Sequence, residues 1–131
     1  MSFVAIAEQA ANGLIISTLY ALVALGIALI FGVLRIVNFA HGEFYMLGGY
    51  ACHVAVTMLG LPPVFGVLAG MALLLVVGAG VERLLIRPIH QGKVDRPDEY
   101  AIMITFALSV LLLNLMNSVF GPWPQRPAAM I

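Results

Sequence analysis

The sequence predicts an all-α fold, a polytopic bundle of about four transmembrane helices, and two observations carry that prediction. Of the 131 residues, 63% are hydrophobic and only 9% are charged, whereas soluble domains are about 45–50% apolar and about 25% charged. The charges are also bunched, so that residues 9–34, 44–81 and 100–125 contain no Asp, Glu, Lys or Arg. Such long uncharged runs are typical of helices that cross a lipid bilayer, because a span needs about 20 apolar residues.

The four predicted spans together make residues 1–131 a single transmembrane domain. In chain order they cover residues 13–34, 43–59, 64–86 and 100–120. A charged residue or a proline follows each of them: Arg35, Pro62, Arg87 and Pro122, which are residues that end membrane helices or break them. The N-terminus is not expected to be a cleavable signal peptide, since no Lys or Arg precedes its long apolar stretch.

The basic residues predict an orientation in the membrane. Under the positive-inside rule, the side that carries most Lys and Arg is cytoplasmic. Five basic residues fall on one side and only Arg126 falls on the other; the five are Arg35, Arg83, Arg87, Lys93 and Arg96. We therefore expect an outer N-terminus, an outer tail, and cytoplasmic charges at the end of the third span at Glu82, Arg83 and Arg87.

Several kinds of chemistry are not indicated by the sequence. Zero net charge leaves no electrostatic footprint for nucleic acid. There is no Gly-x-x-x-x-Gly-Lys-Ser/Thr loop for ATP, and no metal or other cofactor is expected. The single Cys52 is interpreted as a small apolar residue. Gly66-x-x-x-Gly70 predicts close helix packing and no more. The chain is not expected to be an enzyme.

One polar segment stands out between the first two spans. Arg35, Asn38, His41 and Glu43 place four polar side chains within nine residues. They could form a hairpin in the headgroup region, where polar groups remain hydrated. Alternatively, the segment could be a re-entrant or broken helix, because non-helical backbone at membrane depth lines a cavity or is buried in protein. In that case the four residues would be a translocation pathway or a structural polar cluster, with Arg35 and Glu43 as a possible pair.

Three stretches resemble the permeases of branched-chain amino acid ABC transporters. They are NGLI with LYALVALG within residues 12–26, FGVLRIVNFAHGEFYMLGGY at residues 31–50, and ERLLIRP at residues 82–88. The NFAHGE core at residues 38–43 is the specific element, and the similarity extends over about residues 10–120.

The resemblance implies a permease subunit of a high-affinity leucine, isoleucine and valine importer in the bacterial inner membrane. Its implied partners, besides the lipid bilayer, are a second permease subunit, cytoplasmic ATPase subunits that hydrolyse ATP, and an extracytoplasmic substrate-binding protein. Permeases for urea or short amides are the related alternative. Members of the family are more than twice as long, so the chain is expected to be the N-terminal part of a truncated permease that lacks the ATPase-docking region.

Two further functions were weighed against a permease. A small proton-coupled exporter needs a carboxylate within the first span, and no Asp or Glu lies between Glu8 and Glu43. A non-transporting assembly or regulatory subunit would need only packing residues, so this alternative stays open.

Overall fold

The computed structural model describes residues 3–123, which form helices and no strand, so the predicted all-α class is confirmed. The elements in chain order are α1 (Phe3–Leu34), α2 (His41–Thr57), α3 (Pro63–Val81), a π-helical turn (Glu82–Ile86), α4 (Arg87–His90) and α5 (Pro97–Phe120). Arg126, the one basic residue predicted on the outer side, lies outside the described residues.

Within residues 3–123, three stretches are long and apolar enough to cross a membrane, judged by length and composition: Phe3–Leu34, Pro63–His90 and Pro97–Phe120. The second predicted span corresponds to α2, which has 17 residues. At 1.5 Å per residue this helix is about 26 Å long, which is the lower limit for a span. The number of four spans therefore stays a prediction.

The helices extend beyond the predicted spans at three ends. α1 begins at Phe3, ten residues before the predicted start at Gly13, because helical hydrogen bonding does not stop where the hydrocarbon layer would. α5 begins at Pro97 rather than residue 100, and proline suits the first turn of a helix since its missing N–H has no partner there. The third predicted span continues through α4 to His90.

The π-helical turn lies where the third span was expected to end. Its closing hydrogen bond runs from the Arg87 N–H to the Glu82 carbonyl oxygen, five residues back. Pro88 follows directly, and a proline ring collides with the carbonyl group four residues before it in a regular α-helix. The wider turn accommodates Pro88, so the helix continues past the predicted end of the span at residue 86.

The chain divides into two compact units, residues 1–36 and 37–131. In the first, α1 is a single apolar helix. Its Ser17 and Thr18 hydroxyls donate to the carbonyl oxygens of Gly13 and Leu14, at 2.7 and 2.8 Å. These bonds satisfy the hydroxyls within the helix itself.

In the second unit, α2 and α3 pack with their backbones close together. A Cβ atom built on Gly70 would lie 3.0 Å from the Gly48 carbonyl oxygen, and one on Gly66 would lie 3.1 Å from the Cys52 Sγ atom. Gly66 and Gly70 are both buried. Gly66-x-x-x-Gly70 is therefore a helix-packing motif, as predicted, and Cys52 is a packing residue opposite it.

Candidate functional site at the break between two helices

The candidate site begins where α1 ends. Arg35 has a φ of 53°, the left-handed conformation that glycine usually adopts at helix ends. Its N–H still donates to the Phe31 carbonyl oxygen at 2.9 Å, which completes the last helical turn. Non-glycine residues in this conformation are strained and are often found at functional sites.

Asn38 organises the backbone that leads into α2. Its side-chain Oδ1 atom accepts a hydrogen bond from the Ala40 N–H at 3.0 Å. Its carbonyl oxygen accepts one from the His41 N–H at 3.4 Å. This turn, in which an asparagine side chain replaces a backbone partner, is a common alternative to helix. It redirects the chain so that α2 starts at His41.

Thr105 of α5 supplies the remaining polar contacts of the break. Its Oγ1 atom lies 3.3 Å from the Phe39 nitrogen, from which it accepts a hydrogen bond. The same oxygen donates to the Ala101 carbonyl oxygen at 2.7 Å and lies 3.4 Å from the Val37 carbonyl oxygen. Non-helical backbone at residues 37–39 is thus paired with a side chain 66 to 68 residues further along.

Two alanines allow the break to lie directly against α5. Ala40 is fully buried, and Ala101, one turn before Thr105, is 1% exposed. Larger side chains at either position would push the two segments apart. The close approach therefore depends on small residues, as it does between α2 and α3.

The polar side chains predicted for the site have different surroundings. Asn38, His41 and Glu43 are half-buried, and Arg35 is exposed. Glu43 shares a face of α2 with Leu47, Tyr50 and Val54, since these residues are three or four positions apart. The structure thus places Asn38, His41 and Glu43 together around the start of α2, while Arg35 belongs to the first unit. The pairing of Arg35 with Glu43 stays a prediction.

An apolar groove lies on the same side of α2 as Glu43. It is about 360 Å³ in volume and is formed by α2, α3 and α5. Tyr50 and Phe120 stack at its edge, with ring centroids 4.4 Å apart. Its other lining residues are Leu47, Ala51, Val54, Ala55, Leu59, Ala69, Leu73 and Met116.

The position of the break along the axis of α5, called its level, follows from its contact with Thr105. The nearest charged residue of that helix is Glu99, six residues earlier, which corresponds to about 9 Å along the axis. Glu99 and Arg96 are exposed and form an ion pair at 3.2 Å, at the N-terminal end of α5. The break therefore lies about 9 Å further along α5 than this charged end.

The packing of α2 on α3 gives the level of Glu43, which lies further along the chain than the break. Gly48 lies opposite Gly70 and Cys52 opposite Gly66, so the two helices are antiparallel. Continuing this register places Glu43 level with Leu75 of α3. Glu82, the nearest charge on that side, is seven residues further along, or about 10 Å. Glu43 thus lies about 10 Å inward from Glu82 along α3.

The charges predicted at the end of the third span are not part of this cluster. Glu82, Arg83 and Arg87 are exposed, on the π-helical turn and the start of α4. Within the described range, Arg96–Glu99 is the ion pair that forms. These charges thus lie within the last turns of the stretch Pro63–His90.

Thr105 was not identified from the sequence. A single threonine in an apolar span usually bonds its own helix, and the partner segment lies more than 60 residues away. The stacking of Tyr50 on Phe120 was not predicted either. Aromatic residues in membrane spans have many possible partners, and these two residues are far apart in the sequence.

The sequence model of the family described as "Branched-chain amino acid transport system / permease component" matches residues 9–127. No solved structure gives a significant match.

Among curated proteins, the chain is 37% identical over 115 residues to the high-affinity branched-chain amino acid transport system permease protein BraD of Pseudomonas aeruginosa. This match covers 82% of the chain and 36% of that relative. It is 28% identical over 122 residues to the permease protein LivH of Salmonella typhimurium and to that of Escherichia coli, covering 87% of the chain and 38% of each relative. The chain thus spans less than two-fifths of the length of these relatives. With a family match over residues 9–127, it belongs to the family of permease components of branched-chain amino acid transport systems.

Proposed function

We propose that the chain is part of the membrane-embedded subunit of an ABC importer for branched-chain amino acids, and that the segment Arg35–Glu43 belongs to its translocation pathway. The observation that carries the proposal is the polar, non-helical break held on α5 at a level inside the charged helix ends. The substrate class comes from the relatives, whose names assign them to branched-chain amino acid transport.

The membrane location of the chain follows from its family and its helices. The chain belongs to a permease family and has three helices long and apolar enough to cross a bilayer. The relatives are bacterial transport permeases, in agreement with the predicted place in the bacterial inner membrane.

The re-entrant alternative is favoured over a hydrated hairpin by two arguments. A headgroup-level hairpin would lie at the level of the nearby charged residues, whereas this break is about 9 Å from Glu99 along α5. In addition, the Phe39 N–H and the Val37 carbonyl face the Thr105 hydroxyl. Backbone in a hydrated hairpin can bond to water, whereas backbone at membrane depth requires partners within the protein.

The chemistry of the segment suits an amino acid on its way through the bilayer. Such a substrate has an ammonium group, a carboxylate and, for leucine, isoleucine or valine, an apolar side chain. The Glu43 carboxylate can attract the ammonium group, and the groove along the same face of α2 offers apolar surface to the side chain. Polar groups within a membrane span typically mark substrate pathways.

Orientation and partners complete the proposal. The charged ends at Glu82, Arg83, Arg87 and Arg96 lie on the cytoplasmic side, where basic residues accumulate. The sequence has no phosphate-binding loop, so separate cytoplasmic ATPase subunits would supply the energy. A second permease subunit would complete the pathway, and an extracytoplasmic binding protein would deliver the substrate.

An uptake assay tests this function directly. The sequence is tested as the N-terminal part of a full-length permease, because it spans less than two-fifths of its relatives. This permease is produced together with the other subunits of its transport system in a bacterial strain without branched-chain amino acid permeases, and uptake of radiolabelled leucine is measured. We expect uptake that depends on both the chain and ATP. Uptake of urea or acetamide instead of leucine would reassign the substrate. Leucine uptake that is unchanged when the chain is omitted would show that the chain is not part of the translocation pathway.

A further inference from the structure

Thr105 differs from the other hydroxyl residues whose bonds lie within a helix. It is 1% exposed and is the one buried polar residue in the part of the chain that the structure describes. Ser17, Thr18 and Ser118 are exposed, and each donates to the carbonyl oxygen four residues back at 2.7–2.8 Å. Thr105 makes this same bond to Ala101, and its oxygen also faces the break.

The donors and acceptors of a hydroxyl group determine which of the Thr105 contacts are hydrogen bonds. A threonine has one hydrogen to donate and two lone pairs to accept with. The hydrogen is committed to the Ala101 carbonyl oxygen at 2.7 Å, far shorter than the 3.4 Å to Val37 or Ile102. A lone pair is thereby left for the Phe39 N–H at 3.3 Å. The Phe39 amide depends on this oxygen, because it has no other acceptor among the described residues.

We propose that Thr105 is a positioning residue of the translocation pathway: its hydroxyl fixes the backbone at Phe39 and thereby the neighbouring Asn38 and His41. This inference rests on the proposed function of the segment. Without the hydroxyl, the Phe39 N–H of this part-buried bond loses its acceptor, and the segment shifts until the amide finds another partner. Because α2 starts two residues later, the shift moves the His41 side chain.

Two substitutions of Thr105 separate the hydroxyl from the shape of the side chain. Thr105→Val keeps the branched shape and removes the oxygen, whereas Thr105→Ser keeps the oxygen and removes a methyl group. Thr18→Val is the matched control, since Thr18 donates to its own helix only, at 2.8 Å. All variants are made in the full chain, purified in lipid nanodiscs.

The first measurement is hydrogen exchange of the Phe39 amide by NMR, with phenylalanine labelled with ¹⁵N. Thr105→Val should lower the protection of this amide roughly tenfold or more, because its hydrogen bond is lost. Thr105→Ser and Thr18→Val should leave it within about twofold of the parent. The Phe44 amide, bonded to the Ala40 carbonyl oxygen at 3.1 Å, is the internal reference. Equal protection of Phe39 in all variants would overturn the proposal.

The second measurement tests whether Thr105 positions His41 or only accepts a hydrogen bond from the Phe39 N–H. A cysteine is introduced by His41→Cys in a Cys52→Ala background, and its alkylation rate is measured. Thr105→Val should change that rate roughly fivefold or more, and Thr105→Ser should restore it. If protection of Phe39 falls but the alkylation rate does not change, Thr105 does not position His41 and the proposal is wrong. Neither measurement needs transport, so failure of the uptake assay remains a separate result.

Discussion

Gly70 of α3 faces the backbone of Gly48 in α2, and a Cβ atom on Gly70 would lie 3.0 Å from the Gly48 carbonyl oxygen. Backbone cannot rotate away as a side chain can, so any larger residue must separate the helices. This pair of glycines also fixes the register that places Glu43 inward from Glu82. The packing of the second unit and the level of the candidate site therefore depend on the same contact.

Gly70→Ala should destabilise the second unit by about 1–3 kcal/mol, the usual cost of overpacking. The measurement is the midpoint of thermal unfolding in detergent. Gly78→Ala in the same helix is the matched control, because a Cβ atom there meets nothing within 4 Å. A Gly70→Ala variant as stable as Gly78→Ala would mean that α2 and α3 do not approach this closely.

Gly66 permits a compensation experiment. A Cβ atom there would lie 2.7 Å from the Val56 Cγ2 atom, which belongs to a side chain that can be shortened. Gly66→Ala should lower the unfolding midpoint, and adding Val56→Ala should recover part of the loss. Residues in contact couple by about 0.5–3 kcal/mol in such cycles. Strict additivity of the two changes would show that Val56 and Gly66 are not in contact.

Features of the fold that depend on residues near each other in the sequence could be predicted, whereas contacts between distant residues could not. The uncharged runs indicated the helices, because hydrophobic spans are a local property. Gly66-x-x-x-Gly70 indicated a packing face, but Gly48 as its partner could not be derived from one sequence. The third span was expected to end at residue 86 before Arg87, whereas the helix widens into a π turn and continues to His90.

For the candidate site, the sequence indicated the unusual polar segment but not what holds it. Asn38, His41 and Glu43 were identified because polar residues between apolar runs are rare. Thr105 carries no such signal, since its hydroxyl could bond its own helix like that of Thr18. Only the fold brings it to Phe39, which precedes it by 66 residues.

Arg35→Gly should be more stable than Arg35→Gln, because the φ of 53° strains every residue with a Cβ atom. The expected difference is about 1 kcal/mol, close to the cost of the left-handed conformation. Both variants lose the positive charge, so the difference between them reports the cost of the left-handed backbone conformation. Equal unfolding midpoints for the two variants would indicate that position 35 does not adopt this conformation.

Pro88→Ala should return residues 82–86 to regular α-helix, because alanine has an N–H and no ring to collide with the preceding turn. The Cα and carbonyl ¹³C chemical shifts of these residues should move toward regular helical values. Pro97→Ala is the control, since Pro97 lies in the first turn of α5 and disturbs no helical hydrogen bond. Unchanged shifts at residues 82–86 would show that the π turn has another cause.

Glu43→Gln tests whether the polar segment is a pathway or a hydrated turn. Glu43 is half-buried on the face of α2 that continues into the apolar groove, level with Leu75. If it attracts the substrate's ammonium group there, the variant should lower leucine uptake by roughly tenfold, equivalent to about 1.4 kcal/mol. Glu99→Gln is the matched control, since Glu99 is exposed in an ion pair with Arg96 and such surface pairs contribute about 0–1 kcal/mol.

The companion variant Arg35→Gln then tests the predicted pairing of the two charges. If Arg35 and Glu43 are coupled within the bundle, each single variant should lose both folded yield and uptake, and the double variant should recover part of the yield. Breaking one member of a buried pair costs roughly 3–5 kcal/mol, because the remaining charge is left uncompensated. Wild-type uptake in Glu43→Gln would mean that the carboxylate is hydrated and outside the pathway. A loss in Glu43→Gln alone, with Arg35→Gln unaffected, would keep Glu43 in the pathway and remove Arg35 from it.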